Sequence, residues 1–347
     1  MTGAQSSLRV LFLADTHLGF DLPLRPRVTR RRRGHDFFAN FERALVAALA
    51  GRVDCVVHGG DLFFRSRVPA SLVQRGVAPL KRVADAGIPV LLVPGNHERS
   101  RIPYEMLALN ERIHIFRRPE TFVTSVAGVK IAFAGFPYCR RDARDLFPDL
   151  LQATGWREAD AEIKLLCVHQ CVEGATVGPA NYTFRYASDV VRGADIPRGF
   201  AAVLAGHIHR HQVLMTDLRG RPLAAPVLYP GSIERTSFAE KDEAKGYLLV
   251  EFRRDEAPGG ALEDWQFCPL PARPMVVRDL PADGASAATV ETMVRRAIRE
   301  ASADAVLRLR VHGVVQEGAR GILAAANLRS IAPATMNVDV RLVAGQQ

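Results

Sequence analysis

No apolar run in this 347-residue chain approaches the roughly 18 residues of a membrane-spanning helix, and residues 1–7 hold no apolar core of a secretion signal. A cytoplasmic protein is the expectation. Cysteine is scarce: Cys55, Cys139, Cys167, Cys171 and Cys268 are odd in number and form no CxxC pair. That excludes a secreted disulfide framework and reads as reduced, mostly buried thiols. Internal repeats are absent, which excludes a solenoid. Acidic residues are outnumbered, 37 against 46 lysines and arginines, and the net charge of +9 suits a polyanionic partner. What remains, 48% apolar and 24% charged, is ordinary globular composition, and the length suggests about two domains.

Short apolar runs alternate with helical periodicity from Leu8 onward, the pattern of an α/β protein. Strands are expected at Leu8–Ala14, Val53–Val57, Pro89–Val93, Val129–Gly135, Ile163–Val168, Ala201–Ala205 and Tyr247–Phe252. Between the first two, Phe37, Phe41, Leu45 and Leu49 recur at intervals of four and predict one helix face. A second crossover, Ala70–Ala86, contains Pro79, which should kink or split it. The first domain is expected to span residues 1–255. EAPGG at 256–260 and the prolines 269, 271 and 274 predict a linker over 256–273. A small α/β domain should then fill 274–347, with strands near Pro274–Arg278, Ala305–Val311 and Met336–Leu342 and helices at Ser286–Glu300 and Glu317–Ser330.

The polar clusters that suit catalysis each follow a predicted strand, where open α/β sheets bind their ligands. They are Asp15-Thr-His17, Gly59-Gly60-Asp61, Gly95-Asn96-His97-Glu98, His169, and Gly206-His207-Ile-His209. Imidazole and carboxylate together suit a first-row divalent ion, and the neighbouring glycines permit close approach. Singly, a DxH or an HxH is weak; five polar motifs closing five strands in this order are not.

DxH, GD, GNHE, H and GHxH in sequence resemble the calcineurin-like metallophosphoesterases. GGDLFFRSR does not fit the GDxVDRG of the phosphoprotein phosphatases in that family. HGGDLFFRSRVP, LLCVHQCVEG, NYTFRY and AGHIHRHQVL followed by YPGSIERTSFAEKDEAKGYLLVEF look like its SbcD-type DNA repair nucleases, over nearly the whole chain. The resemblance implies a four-layer α/β/β/α sandwich with a smaller C-terminal α/β capping domain. It also implies a two-metal site, typically filled by manganese: Asp15, His17 and His209 on one ion, Asn96, His169 and His207 on the other, and Asp61 bridging. Two such ions about 3.5–4 Å apart clamp a phosphodiester and activate a water. His97 resembles the family histidine that contacts the scissile phosphate and helps protonate the leaving group, while Glu98 reads as structural. The implied partners are DNA, an SbcC-like coiled-coil ABC ATPase and a second copy of the chain, with no membrane.

Two departures stand out. Many relatives carry a polar residue where this chain has Phe64, which cannot donate to a phosphate. Relatives that bind the ATPase often continue into a helical segment that the sequence ending at Gln347 does not include. Arg25, Arg27, Arg30, Arg31, Arg32 and Arg33 follow the first metal motif and suit a nucleic-acid backbone, against the plainer reading of a solvated basic loop. His211 is expected on the same strand face as His209; His35, His58, His114 and His312 read as packing or surface histidines, and Cys167 and Cys171 as buried thiols rather than ligands. Two alternatives stay open: a phosphodiesterase or phosphatase for small molecules, and a non-catalytic DNA-binding scaffold, which the full ligand set disfavours.

Overall fold

The apolar run at the start of the chain forms β1 (Ser7–Leu13), in a computed structural model that describes residues 7–22, 32–98, 110–126, 128–255 and 258–343. Parallel to it lie β2 (Cys55–His58), β3 (Val90–Leu92) and β4 (Ile113–Ile115). The chain then builds β5 (Glu120–Val126), β6 (Val129–Gly135), β7 (Ile163–Val168), the short β8 (Cys171–Val172), β9 (Thr176–Val177), β10 (Tyr182–Thr183) and β11 (Val190–Val191), and then β12 (Ala202–Ala205), β13 (Gln212–Thr216) and β14 (Pro222–Tyr229). It returns as β15 (Gly246–Arg253) and β16 (Ala261–Pro269). Two six-stranded mixed sheets result, ordered β16-β15-β1-β2-β3-β4 and β13-β14-β12-β7-β6-β5.

Side-chain alternation divides each strand between two cores. Val10 and Phe12, Cys55 and Val57, and Leu248, Val250 and Phe252 of the first sheet share one buried cluster with Ile131, Phe133, Leu165, Cys167 and Leu204 of the second. The two sheets therefore pack face to face. The intervening residues are buried as well: Leu166, Val168 and Val203 meet Phe147 and Leu151 of α3 (Ala143–Ala153). Strands covered on both faces need no polar side, which is why they read as unbroken apolar runs.

Two other helices belong to this unit, α1 (Gly34–Leu49) and α2 (Ala70–Asp85), and they touch where the Arg75 guanidinium lies 3.9 Å from the centre of the Phe38 ring. Phe37, Phe41 and Leu45 of α1 are buried as expected, but Leu49 is exposed. A spacing of four overshoots the 3.6-residue turn, so after three steps the position has rotated by about 120°. Pro79 lies buried inside α2, which is not divided there.

The described residues form two compact units. One comprises those within 7–20, 36–236 and 243–271, the other those within 21–35, 237–242 and 272–343. The linker expected over 256–273 is not what the structure shows: β16 occupies residues 261–269 and pairs antiparallel with β15 along its whole length. Its prolines fall at or beyond the strand's end, and Leu262 and Phe267 pack on the shared core.

The second unit contains a parallel sheet of β17 (Met275–Pro281), β18 (Val306–His312) and β19 (Asn337–Val343) with α4 (Ala287–Arg299) against it. Ser286 caps α4 by accepting the Thr289 N–H at 3.2 Å. Where one helix was expected over Glu317–Ser330 there are two, α5 (Glu317–Leu323) and α6 (Ala325–Ile331), because Ala324 between them is extended. Leu307, Leu309 and Val311 pack with Val290, Val294, Ala319 and Leu328 into a core of this unit's own.

Candidate metal centre

Asp15 and His17 follow β1, Asp61 follows β2, Asn96 and His97 follow β3, His169 follows β7, and His207 and His209 follow β12. All five strands run parallel within their sheets, so the facing sheets deliver all eight residues from their carboxyl ends. The loops are laced together by main-chain bonds: the Asp15 N–H donates to Gly60 O and the His17 N–H to Asp61 O, both at 2.9 Å. Asp15, His17, Asp61 and His207 have φ of 51°, 42°, 53° and 86°, a left-handed region that side chains seldom enter. Strain of this kind persists only where surrounding bonds hold it, and here it is concentrated on candidate donors. The glycines serve the same approach. A Cβ on Gly60, itself at φ 107°, would lie 2.3 Å from His169 Nδ1, and one on Gly95 would lie 2.2 Å from Asp61 Oδ1.

The side chains converge on Asp61. Its Oδ2 lies 3.4 Å from His169 Nε2, 3.8 Å from His97 Nε2 and 4.0 Å from His17 Nε2. His17 Nε2 and His209 Nε2 are 3.0 Å apart, and His209 Nε2 is 3.9 Å from Asp15 Oδ1. On the other side, Asn96 Oδ1 lies 3.0 Å from both His169 Nε2 and His207 Nδ1. Three overlapping donor clusters follow, Asp15–His17–His209, Asp15–Asp61–His169 and His17–Asp61–His97, each with its ligand atoms within 4.8 Å of one another. The sequence reading set His97 apart from the ligands, whereas the structure puts its ring within the same cluster.

Supporting residues hold the site in place, some of them, such as His58 and Thr236, without a role assigned from the sequence. His58, read as a packing or surface histidine, is fully buried beneath the site. Its Nδ1 accepts the Gly60 N–H at 3.2 Å, so its Nε2 carries the proton and donates to Thr16 Oγ1 at 3.0 Å, and that hydroxyl donates to Leu62 O at 3.0 Å. Glu98 ties two motif loops together by accepting the Phe63 and Gly95 N–H groups at 2.8 and 2.9 Å, a structural part as expected. The His169 Nδ1 donates to Gly59 O at 2.7 Å, which turns Nε2 toward Asn96 and Asp61. Thr236 Oγ1 stands 3.3 Å from His209 Nδ1.

Charge is unevenly shared among these side chains. Burial alone would raise Asp61, but His169, His17 and His97 hold its carboxyl well below the usual carboxylate range. Burial would also lower His169, yet the Asp61 and Asp15 carboxylates lift it to about 9. Asp15 is pushed up by burial, against the pull of His169 and His209. Burial drives His207 down to about 3 and His17 well below its ordinary value. Two buried carboxylates, an amide oxygen and a ring of imidazoles, of which burial keeps His17 and His207 neutral, are a donor set for divalent cations. Among the described residues, His17 Nδ1 is a buried polar atom without a hydrogen-bond partner.

Other candidates fare differently. Arg25, Arg27, Arg30 and Arg31 lie outside the described residues. The Arg32 guanidinium pairs with Asp21, whose Oδ2 also accepts the Arg33 N–H at 3.2 Å. His211 does not join the site: its ring stacks on Phe267 at 4.4 Å between centres, and Nδ1 bonds Tyr229 O. His312 pairs with Asp279 at 2.6 Å in the second unit. Cys167 and Cys171 are buried free thiols, and burial pushes both far above their ordinary range, against thiolate ligation.

This chain is similar to the DNA double-strand break repair protein Mre11 of Haloferax volcanii, with 34% identity over 247 residues that cover 71% of this chain and 50% of that one. The protein of the same name from Halobacterium salinarum is 32% identical over 251 residues, 71% of this chain and 57% of its own length. That from Saccharolobus solfataricus is 25% identical over 255 residues, covering 72% and 61%. The chain thus spans roughly half to three fifths of the length of these relatives. The calcineurin-like phosphoesterase family matches residues 8–211, a stretch that takes in every candidate donor from Asp15 to His209. With its strand-end donors gathered around Asp61 and that match across more than half its length, the chain belongs to the calcineurin-like phosphoesterase family.

Proposed function

We propose that this protein is a metal-dependent nuclease that hydrolyses DNA phosphodiester bonds during the processing of broken ends. The observation that carries the reading is the convergence of Asp15, His17, His169 and His209 around Asp61, in a chain whose relatives are named for double-strand break repair. Asp15, His17 and His209 would hold one divalent ion, Asn96, His169 and His207 the other, and Asp61, with two carboxylate oxygens, would bridge them. Bound there, the ions would supply positive charge to a phosphodiester and lower the pKa of a water nearby. Manganese suits the imidazole-rich set better than magnesium does.

The chain's own residues supply the rest. His97 is the most exposed imidazole of the cluster, with a third of its side chain open, and its Nε2 faces the Asp61 side of the site. It would hold a proton for the departing oxygen. The arginines from Arg25 to Arg33 would track the DNA backbone, and of these Arg32 pairs with Asp21. An SbcC-like ATPase and a second copy of the chain complete the proposed assembly, in the cytoplasm.

The test is incubation of the manganese-loaded protein with end-labelled linear, hairpin and closed-circular DNA, beside an aryl phosphodiester and a chelator control. Cleavage of DNA that the chelator abolishes is expected. Turnover of the aryl ester with intact DNA would replace this reading by a small-molecule phosphodiesterase. Metal binding without turnover of either would leave a DNA-binding scaffold.

A further inference from the structure

Lys245 is almost wholly buried, an unusual place for an ammonium group unless it is paired. Its Nζ donates to the main-chain carbonyl of His209 at 2.9 Å and to Glu243 Oε2 at 3.1 Å. The other oxygen of Glu243 accepts from Arg210 Nε at 3.0 Å. Arg210, next to His209 in the chain, reaches on to the β9–β10 hairpin, donating to Asn181 Oδ1 at 2.7 Å and to Gly178 O at 2.6 Å.

We infer that Lys245 is a positioning residue for His209: through the His209 carbonyl, and braced by Glu243 and Arg210, it fixes the direction from which the His209 imidazole enters the metal centre. The inference rests on the reading of His209 as a metal ligand. The His209 carbonyl already accepts the Ser232 N–H at 3.0 Å, so the ammonium is not needed to satisfy an orphaned oxygen. It adds a second donor, and an oxygen held by two donors does not let its peptide plane swing. That plane sets the Cα–Cβ direction of the histidine. His209 needs such an anchor more than its fellow candidates on the same ion: about a quarter of its side chain is exposed, against almost none for His17 and Asp15. Packing holds those two, while His209, whose Nδ1 lies 3.3 Å from Thr236 Oγ1, is held through its main chain as well. A buried ionic chain that only filled space would do so no better than apolar side chains of the same volume.

Manganese alone is the probe, titrated by calorimetry into the parent protein and into His209→Ala, Lys245→Met and Glu243→Gln, each also followed by thermal unfolding. The parent should bind two ions and His209→Ala should lose or weaken one. Lys245→Met should weaken that same ion about 10- to 100-fold, the usual effect of removing a partner behind a ligand, and leave the other within about threefold. Glu243→Gln should weaken the same ion by less. Equal weakening of both ions, or parental affinity for both, overturns the inference. If Lys245→Met does not fold, Glu243→Gln decides, and parental affinity there overturns it. A parent that binds fewer than two ions, or a His209→Ala protein that keeps both, brings down the ligand reading itself and this inference with it.

Discussion

The ring of His97 is held by the main chain of Phe64, whose carbonyl oxygen lies 2.5 Å from His97 Nδ1. A carbonyl only accepts, so Nδ1 carries a proton and Nε2 is the nitrogen turned toward Asp61, 3.8 Å from its Oδ2. The hydrogen-bonding anchor belongs to the backbone of residue 64. The Phe64 ring stands edge-on to Phe20, with centres 4.8 Å apart, and its centre lies 5.8 Å from that of the His97 ring.

Phe64→Ala should therefore keep His97 in place. Both ions should remain and turnover of a small phosphodiester should fall by no more than about tenfold, well short of the loss expected for a missing general acid. A loss of about a thousandfold would show that the phenyl ring, not the carbonyl, sets the position of His97.

Asp61→Asn replaces a two-oxygen anion by an amide with one good oxygen donor. The asparagine should still accept the His97 N–H that Asp61 Oδ1 accepts at 2.9 Å, so the loop should survive while metal content falls and nearly all activity goes. Two ions at full occupancy with parental turnover would sink the bridging assignment. The parent should work better with manganese than with magnesium, and strict magnesium dependence would count against an imidazole-rich ligand set.

Burial, with help from the charge on His169, holds His58 neutral down to about 3. An unfolded chain takes up a proton on histidine near 6.5, so between about 6.5 and 3 acid favours the unfolded chain. This stability is present above 6.5 and declines as pH falls. From pH 7 to 5 the cost is about 2 kcal/mol for one such histidine. Thermal unfolding of the metal-free protein should show that loss, and His58→Gln, which can still accept from Gly60 and donate to Thr16, should show a shallower slope. Parallel slopes would remove His58 from the account.

The strand-end motifs were legible because the same β-sheet rule that buries an apolar run places the next few residues at the sheet's carboxyl edge, so that order along the chain becomes proximity in space. The parallel strands, buried on both faces, announced themselves as unbroken apolar runs. β16 did not: it is an edge strand with Glu263 and Asp264 exposed, and only Leu262 and Phe267 touching the shared core, so its flanking glycines and prolines dominated the reading. His58 and Lys245 were invisible for another reason. What they do depends on partners distant in sequence or on main-chain atoms, and neither leaves a spacing to recognise.

The basic stretch can be tested apart from the metals. Changing Arg25, Arg27, Arg30 and Arg31 to serine should weaken binding to duplex DNA irrespective of sequence and flatten its salt dependence by about 0.9 log units for each phosphate that is no longer neutralised. Turnover of a small phosphodiester should barely change. An unaltered salt slope would identify the stretch as a solvated charge run.

His97 and His207 separate chemistry from assembly. His207 Nδ1 lies 3.0 Å from Asn96 Oδ1 and its N–H donates to both Asp15 oxygens at 3.2 and 3.1 Å, so its ring is set into the donor cluster by side chain and main chain alike. His207→Ala should lose an ion together with activity. His97 lies in a donor cluster too, but its open flank and the Phe64 carbonyl behind it suit a group that meets the substrate. His97→Ala should keep both ions and bind DNA nearly as the parent does, yet turn over about 10²–10⁴-fold more slowly, as removal of a general acid does. Phe64 offers no polar group that could take over, which puts the expected loss toward the upper end. Metal analysis with single-turnover cleavage decides between the two parts. An ion lost from His97→Ala would move His97 into the ligand set, and cleavage at the parental rate would leave the leaving oxygen to be protonated by another group.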